Sequence, residues 1–183
     1  MAGNLNDDES KSTLAEHNGP YKGRCACGSV QYEMTTRPMI VHACHCRYCQ
    51  RESGAALAVN ALIEADRVIV TEGEVVEIDT PSESGAGQLF SRCSQCHVTL
   101  WTNYLGMKGG LAEVVRFVRV GTLNHPDNFP PDVHIFTSTK QPWVVLPDNV
   151  PAFDEYFVIK EIWSSESLLR RARLQELAGP NVS

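Results

Sequence analysis

The seven cysteines of this 183-residue chain fall into three short clusters, Cys25-Ala-Cys27, Cys44-His-Cys46-Arg-Tyr-Cys49 and Cys93-Ser-Gln-Cys96. No other feature constrains the fold as much, because a two- or three-residue spacing turns two thiolates toward one ion about 2.3 Å away. Four-coordinate structural zinc needs four ligands, and two pairs from different parts of the chain supply them. Cys25, Cys27, Cys93 and Cys96 therefore read as a closed site that pins the first strand to the middle of the chain and contributes folding energy. Cys44, Cys46 and Cys49 then stand together in one compact loop, and three protein ligands with a vacant position is the arrangement of catalytic zinc. Two zinc ions per chain are expected. Two other partitions compete for the second cluster. A histidine (His42, His45 or His97) can complete it as a closed Cys₃His site, with His45 the least suited because its neighbours on both sides are ligands. Alternatively the three thiols carry no metal and are free for redox chemistry.

The rest of the composition favours metal over disulfides. Residues Met1 to Gly19 are rich in Asn, Asp, Glu and Ser and lack the apolar core of a secretory signal. A cytoplasmic, reducing location follows as the expectation, and an odd number of cysteines agrees with it. At 43% hydrophobic and 21% charged residues the chain has an ordinary globular composition. Its formal charge of −6 argues against nucleic acid as a partner. No apolar run approaches the roughly 18 residues needed to cross a bilayer, so no membrane association is expected.

Periodicity points to a mainly β domain. Residues 1–20 read as a solvated polar tail. Val30, Tyr32 and Met34 alternate with polar neighbours as a half-buried strand does. Further strand candidates are Ala55–Ile63, Arg67–Val70, Glu74–Asp79 (after a turn at Glu72-Gly73), Val114–Val120 and Val133–Thr139, with residues 81–88 as a flexible connection. Only the end reads as helix. Ser164 or Ser165 caps it, Glu166 sits in its first turn, Gly179-Pro180 stops it, and Leu168, Leu169, Ala172 and Leu177 form a weak apolar stripe. The expected organisation is a tail over 1–20, a zinc-binding catalytic domain over 21–160 and a helical extension over 161–183.

Three segments carry a specific resemblance: Gly23-Arg-Cys25-Ala-Cys27-Gly28-Ser-Val-Gln-Tyr32, Cys44-His-Cys46-Arg-Tyr-Cys49-Gln-Arg-Glu-Ser-Gly54 and Cys93-Ser-Gln-Cys96. Their order resembles that of the glutathione-dependent formaldehyde-activating enzymes and their centromere protein V relatives. Gly121-Thr-Leu-Asn-His-Pro126, His134-Ile-Phe136 and Lys140-Gln-Pro-Trp143 are weaker echoes. The resemblance implies a β-tent of coiled antiparallel sheets around zinc. It assigns Cys25, Cys27, Cys93 and Cys96 to the structural ion and Cys44, Cys46 and Cys49 to the catalytic one. It also implies a carbon–sulfur lyase activity, S-(hydroxymethyl)glutathione synthesis from glutathione and formaldehyde. Two rival readings remain: an enzyme of the same fold acting on another small molecule in a specialised pathway, and a zinc-stabilised binding module without catalysis.

Several residues around the cysteines are weighed individually. Arg47 and Arg51 flank the three-cysteine loop and suit the carboxylates of glutathione, against a reading as surface salt-bridge formers. His97 stands where relatives carry Gly, a position that favours positive φ, and so reads as a strained substitute or a pocket group. Asn124-His125 stands where relatives are often acidic. His134 and Trp143 are either packing residues or pocket lining. Ser91-Arg92 reads as support for the zinc loop.

Overall fold

A computed structural model describes residues 19–82 and 84–178, so residues 1–18 of the expected polar tail and the Gly179-Pro180 stop lie outside the described residues. The architecture is mainly β, in two sheets. The smaller has the order β1 (Tyr21–Arg24), β2 (Gln31–Met34), β5 (Val68–Glu72). The larger has seven strands in the order β10 (Val133–Ile135), β3 (Ile40–Cys44), β4 (Ala58–Glu64), β9 (Val115–Arg119), β8 (Thr99–Tyr104), β7 (Gln88–Cys93), β6 (Val75–Thr80). Its pairs are antiparallel except β10 with β3, which run parallel, and this corrects the expectation of wholly antiparallel sheets.

Around β3 and β4 both faces of the larger sheet are buried, and the two faces have different jobs. Val41, Ala61, Ile63, Trp101 and Val118 pack toward Tyr32 and Met34 of the smaller sheet. Ile40, Cys44, Leu62, Val133 and Ile135 face the other way and are covered by Phe157, Trp163 and Leu174 from the end of the chain. A strand buried on both faces loses the apolar/polar alternation that marks a half-buried one. That explains why β3, with the burial of all five residues, carries no period-two signal despite lying at the centre of the fold. Strands β1, β7 and β8 are likewise additions to the sequence reading. The expected strand over Val133–Thr139 stops at Ile135, because Phe136 takes a left-handed φ of 56° and a 3₁₀ turn follows. Gly73 makes the tight link between β5 and β6, where φ is 82° and an added Cβ would lie 2.0 Å from the Ser29 carbonyl oxygen.

Helices are more numerous than expected. Helix α1 (Arg47–Ser53) follows β3, α2 (Leu111–Val114) precedes β9, α3 (Ile159–Ile162) leads into α4 (Ser165–Ala178). The cap of α4 is Ser164, whose Oγ accepts from the Ser167 amide at 3.1 Å. Its docking face is not the expected leucine stripe, since Leu169 and Leu177 are largely exposed. Ser167, Arg170 and Leu174 face inward instead. Ser167 donates to the Met39 carbonyl at 2.6 Å, and Arg170 pairs with the buried Glu64 through Nε at 2.7 Å and Nη2 at 2.5 Å. Polar anchors thus fix this helix as much as apolar contact does.

Candidate metal centres

The three cysteine clusters form two thiol groups. In each, the sulfurs all lie within 4.8 Å of one another. The first joins Cys25 and Cys27, in the turn between β1 and β2, to Cys93 at the end of β7 and Cys96 in the β7–β8 turn. A tetrahedron of sulfurs around an ion at about 2.3 Å has edges of about 3.8 Å. Cys27 and Cys93 stand 3.9 Å apart, and Cys25 and Cys27 3.4 Å. Backbone amides point at these sulfurs: Val30 donates to Cys25 at 3.3 Å, and Gln95 and Cys96 donate to Cys93 at 3.3 and 3.5 Å. Burial alone pushes the Cys25 thiol up, but the Val30 amide and the neighbouring thiols outweigh it and hold its pKa at about 6. Such donors prepare thiolates for a cation, so this group fits a metal ion.

The second group is built differently from the compact loop expected. Cys44 ends β3, Cys46 is the N-cap of α1, and Cys49 lies one turn into that helix. The Cys46 sulfur accepts from the Cys49 amide at 3.3 Å, which satisfies one of the free amides of the helix start. Gly54 closes the helix at φ 65°. Cys44 is buried while Cys46 and Cys49 are half-exposed, so one side of the trio is accessible. Hydrogen bonds from Cys44 and Cys49 draw the Cys46 pKa down, and the same contacts, with burial, push Cys44 up. Three thiolates this close need an added positive charge to coexist, and a divalent cation supplies it.

Among the described residues no histidine nitrogen joins either group within that 4.8 Å spacing, which removes the histidine-completed arrangement of the trio. His45 instead turns its Nε2 to His134 Nδ1 at 2.9 Å, inside the fold. Burial lowers its pKa to about 4 and keeps the ring neutral. His134 is therefore a packing partner and not a group in the open part of the site. Trp143 is neither, being 71% exposed. His97 is exposed with φ 58°, the left-handed backbone expected of a glycine position. Asn124 lines a groove of about 510 Å³ with Arg24, Cys25 and Thr122, beside the four-cysteine group. Arg47 and Arg51 are both exposed, one turn apart on α1, and Arg47 bonds the Gln50 amide oxygen at 2.9 Å. Gln50 in turn donates to the carbonyls of His45 and Thr139 at 2.6 and 3.0 Å, anchoring the helix start.

A buried ionic network links the two groups, and sequence reasoning did not find it. Glu52 on α1, with its side chain 9% exposed, accepts from Arg119 at 2.5 Å, from Thr99 at 3.0 Å and from Arg92 at 3.4 Å. Arg92 adjoins Cys93, so this is how the Ser91-Arg92 step supports the metal loop. Arg119 also donates to Asn60 at 2.7 Å. Glu52 lay within the quoted Cys44–Gly54 motif, but nothing in its spacing announces arginine partners 40 and 67 residues away.

A crystal structure of a Rhodobacter sphaeroides protein, a structural genomics target, aligns over 72% of this chain and 99% of its own at 16% identity and a TM-score of 0.41. No curated protein sequence matches the chain. The family model of the glutathione-dependent formaldehyde-activating enzymes matches residues 20–139, which contain all seven cysteines. The chain belongs to the glutathione-dependent formaldehyde-activating enzyme family.

Proposed function

We propose that this protein is a zinc-dependent carbon–sulfur lyase-type enzyme. It forms or breaks a glutathione–aldehyde adduct such as S-(hydroxymethyl)glutathione at Cys44, Cys46 and Cys49. In this reading Cys25, Cys27, Cys93 and Cys96 hold a structural zinc within the family's β-tent, with residues 21–160 as the catalytic domain. The observation that carries it is the contrast between the two thiol groups. One has four sulfurs, whereas the other has three, with one accessible side and, among the described residues, no histidine or carboxylate joining it.

When bound, zinc at the trio supplies a soft positive centre that lowers a thiol's pKa and holds it as thiolate. Cys44, Cys46 and Cys49 fix that centre at the start of α1, and Gln50 and Glu52 lock the helix that carries it. Arg47 and Arg51 present two exposed cations beside it, placed for the carboxylates of the tripeptide thiol. The thiolate sulfur then adds to the aldehyde carbon, the carbonyl pair moves onto oxygen, and that oxygen takes a proton from water. The reverse sequence releases thiol and aldehyde. Asn124 and His97 lie at the four-cysteine end, so these departures from the family pattern give no ground for a different substrate at the trio.

Magnetisation-exchange NMR on formaldehyde and glutathione, with and without the protein, tests the activity. Faster exchange between free and adduct formaldehyde is expected, together with two zinc ions per chain. An exchange rate unchanged by the metal-loaded protein would remove the lyase assignment.

A further inference from the structure

We propose that Ser29 is a positioning residue of the four-cysteine centre, its hydroxyl donating a hydrogen bond to the exposed Cys27 thiolate and restraining that sulfur from attacking electrophiles. This rests on the metal reading of Cys25, Cys27, Cys93 and Cys96 and not on the lyase reading of the trio.

The turn between β1 and β2 fixes where the hydroxyl lies. The Cys25 amide donates to the Val30 carbonyl at 3.1 Å and the Gly28 amide to the Cys25 carbonyl at 3.2 Å, so the loop closes back on its first cysteine. Gly28 takes φ 80°, a backbone state open to glycine, and this carries the chain from Cys27 round to Ser29. From the far side the Gly73 backbone packs on the Ser29 carbonyl, as the 2.0 Å approach of an added Cβ there shows. Held from both sides, the Ser29 Oγ stands 3.0 Å from the Cys27 sulfur, 3.2 Å from that of Cys93 and 3.7 Å from that of Cys25. It lies against three of the four sulfurs.

Four thiolates outweigh the charge of a divalent cation, and hydrogen bonds to the sulfurs offset the excess. Cys25 and Cys93 are buried and are served by the backbone, through the amides of Val30 and of Gln95 and Cys96 at 3.3 to 3.5 Å. Cys27 is the exposed member, and its contact with the Ser29 hydroxyl is shorter than any of these. A metal-bound thiolate only accepts, so the hydroxyl is the donor. The donated bond lowers the energy of the sulfur lone pair, and a lowered pair is a poorer nucleophile. The sulfur most open to solvent thus has the closest donor.

Ser29→Ala deletes the hydroxyl, and Ser29→Thr against Ser29→Val repeats the comparison at one side-chain shape. Two measurements on the full-length, metal-loaded protein then apply. Iodoacetamide alkylates a thiolate, forming a carbon–sulfur bond as iodide leaves, and peptide mass mapping gives the initial rate at each cysteine. Cys27 should react roughly 10-fold faster in Ser29→Ala and Ser29→Val, the scale for losing one hydrogen bond to a charged group. Ser29→Thr should match the wild type, and Cys46 and Cys49 should keep their rates throughout. Separately, the sulfur-to-cobalt absorption band of the cobalt-substituted protein should move to longer wavelength when the hydroxyl is lost, because the freed sulfur pair lies higher in energy. The trio contributes equally to both spectra and cancels in their difference. An unchanged Cys27 rate or an unmoved band overturns the assignment. A rise shared by Cys25, Cys93 and Cys96 overturns it too, since loosening of the whole site produces that and the loss of one hydrogen bond does not. A wild type that binds no metal removes the metal reading instead, while the alkylation comparison still decides the role of Ser29.

Discussion

Replacing Cys93 by Ser and replacing Cys46 by Ser remove one ligand each, yet the structure predicts unequal consequences. Cys93 belongs to the group that crosses from the smaller sheet to the larger one, and its cross-link to Cys27 spans 66 residues. By the chain-entropy relation, a link over that separation removes about 4 kcal/mol of unfolded-state freedom. The trio spans only Cys44 to Cys49, five residues of separation, for which the same relation gives about 2 kcal/mol. At the four-cysteine group the metal adds to the first figure, since structural zinc contributes roughly 10–16 kcal/mol in small domains, against a total stability of about 5–15 kcal/mol. Cys93→Ser should therefore abolish cooperative folding. Cys46→Ser should keep a cooperative thermal transition and lose about one of two zinc ions. Circular dichroism melts with metal analysis of the purified proteins measure both. If Cys93→Ser melts like the wild type with one zinc retained, or if Cys46→Ser fails to fold, the division into a fold-bearing and an accessible site is wrong.

Three further outcomes follow from particular contacts. His97→Gly removes a non-glycine residue from φ 58° and should stabilise the protein by about 1 kcal/mol, a rise in melting temperature of roughly 2–4 °C. Arg170→Met leaves Glu64 buried with only the weaker Arg67 contact at 3.4 Å, and a loss of about 3 kcal/mol is expected by urea denaturation. Burial alone would raise the Glu64 pKa, but Arg170 outweighs it and holds it below the usual glutamate range. The stabilisation is thus present above the unfolded-state pKa and is lost as pH falls through the folded one, and Glu64→Gln should flatten that acid limb. Arg47→Ala and Arg51→Ala should each raise KM for glutathione several-fold with kcat little changed, because exposed cations bind ground state and transition state alike.

The two cysteine groups able to hold metal were legible in the sequence because metal-ligand spacing is local. Cys25-x-Cys27 and Cys93-x-x-Cys96 declare themselves within four residues, and two pairs imply one four-ligand site whatever lies between. The strained backbone at His97 was readable for the same reason, since a glycine position tolerates substitution only at a known φ cost. Strand β3 was not readable, because burial on both faces erases alternation, and α1 was hidden by a motif that reads as a loop until Cys46 is seen capping a helix. The docking face of α4 was misread because Ser167 and Arg170 anchor it through polar contacts with Met39 and Glu64, which hydrophobic patterning does not register.

By itself, then, the sequence determined which atoms can hold metal and how they divide four to three. The tertiary structure decided what surrounds them. Only the fold brings Glu52 between Arg92 and Arg119, turns His45 away toward His134, and sets Tyr156 edge-on against His42 of β3. Those relations join residues 40 to more than 110 positions apart, and such proximity is created by sheet register and packing, which no local spacing encodes.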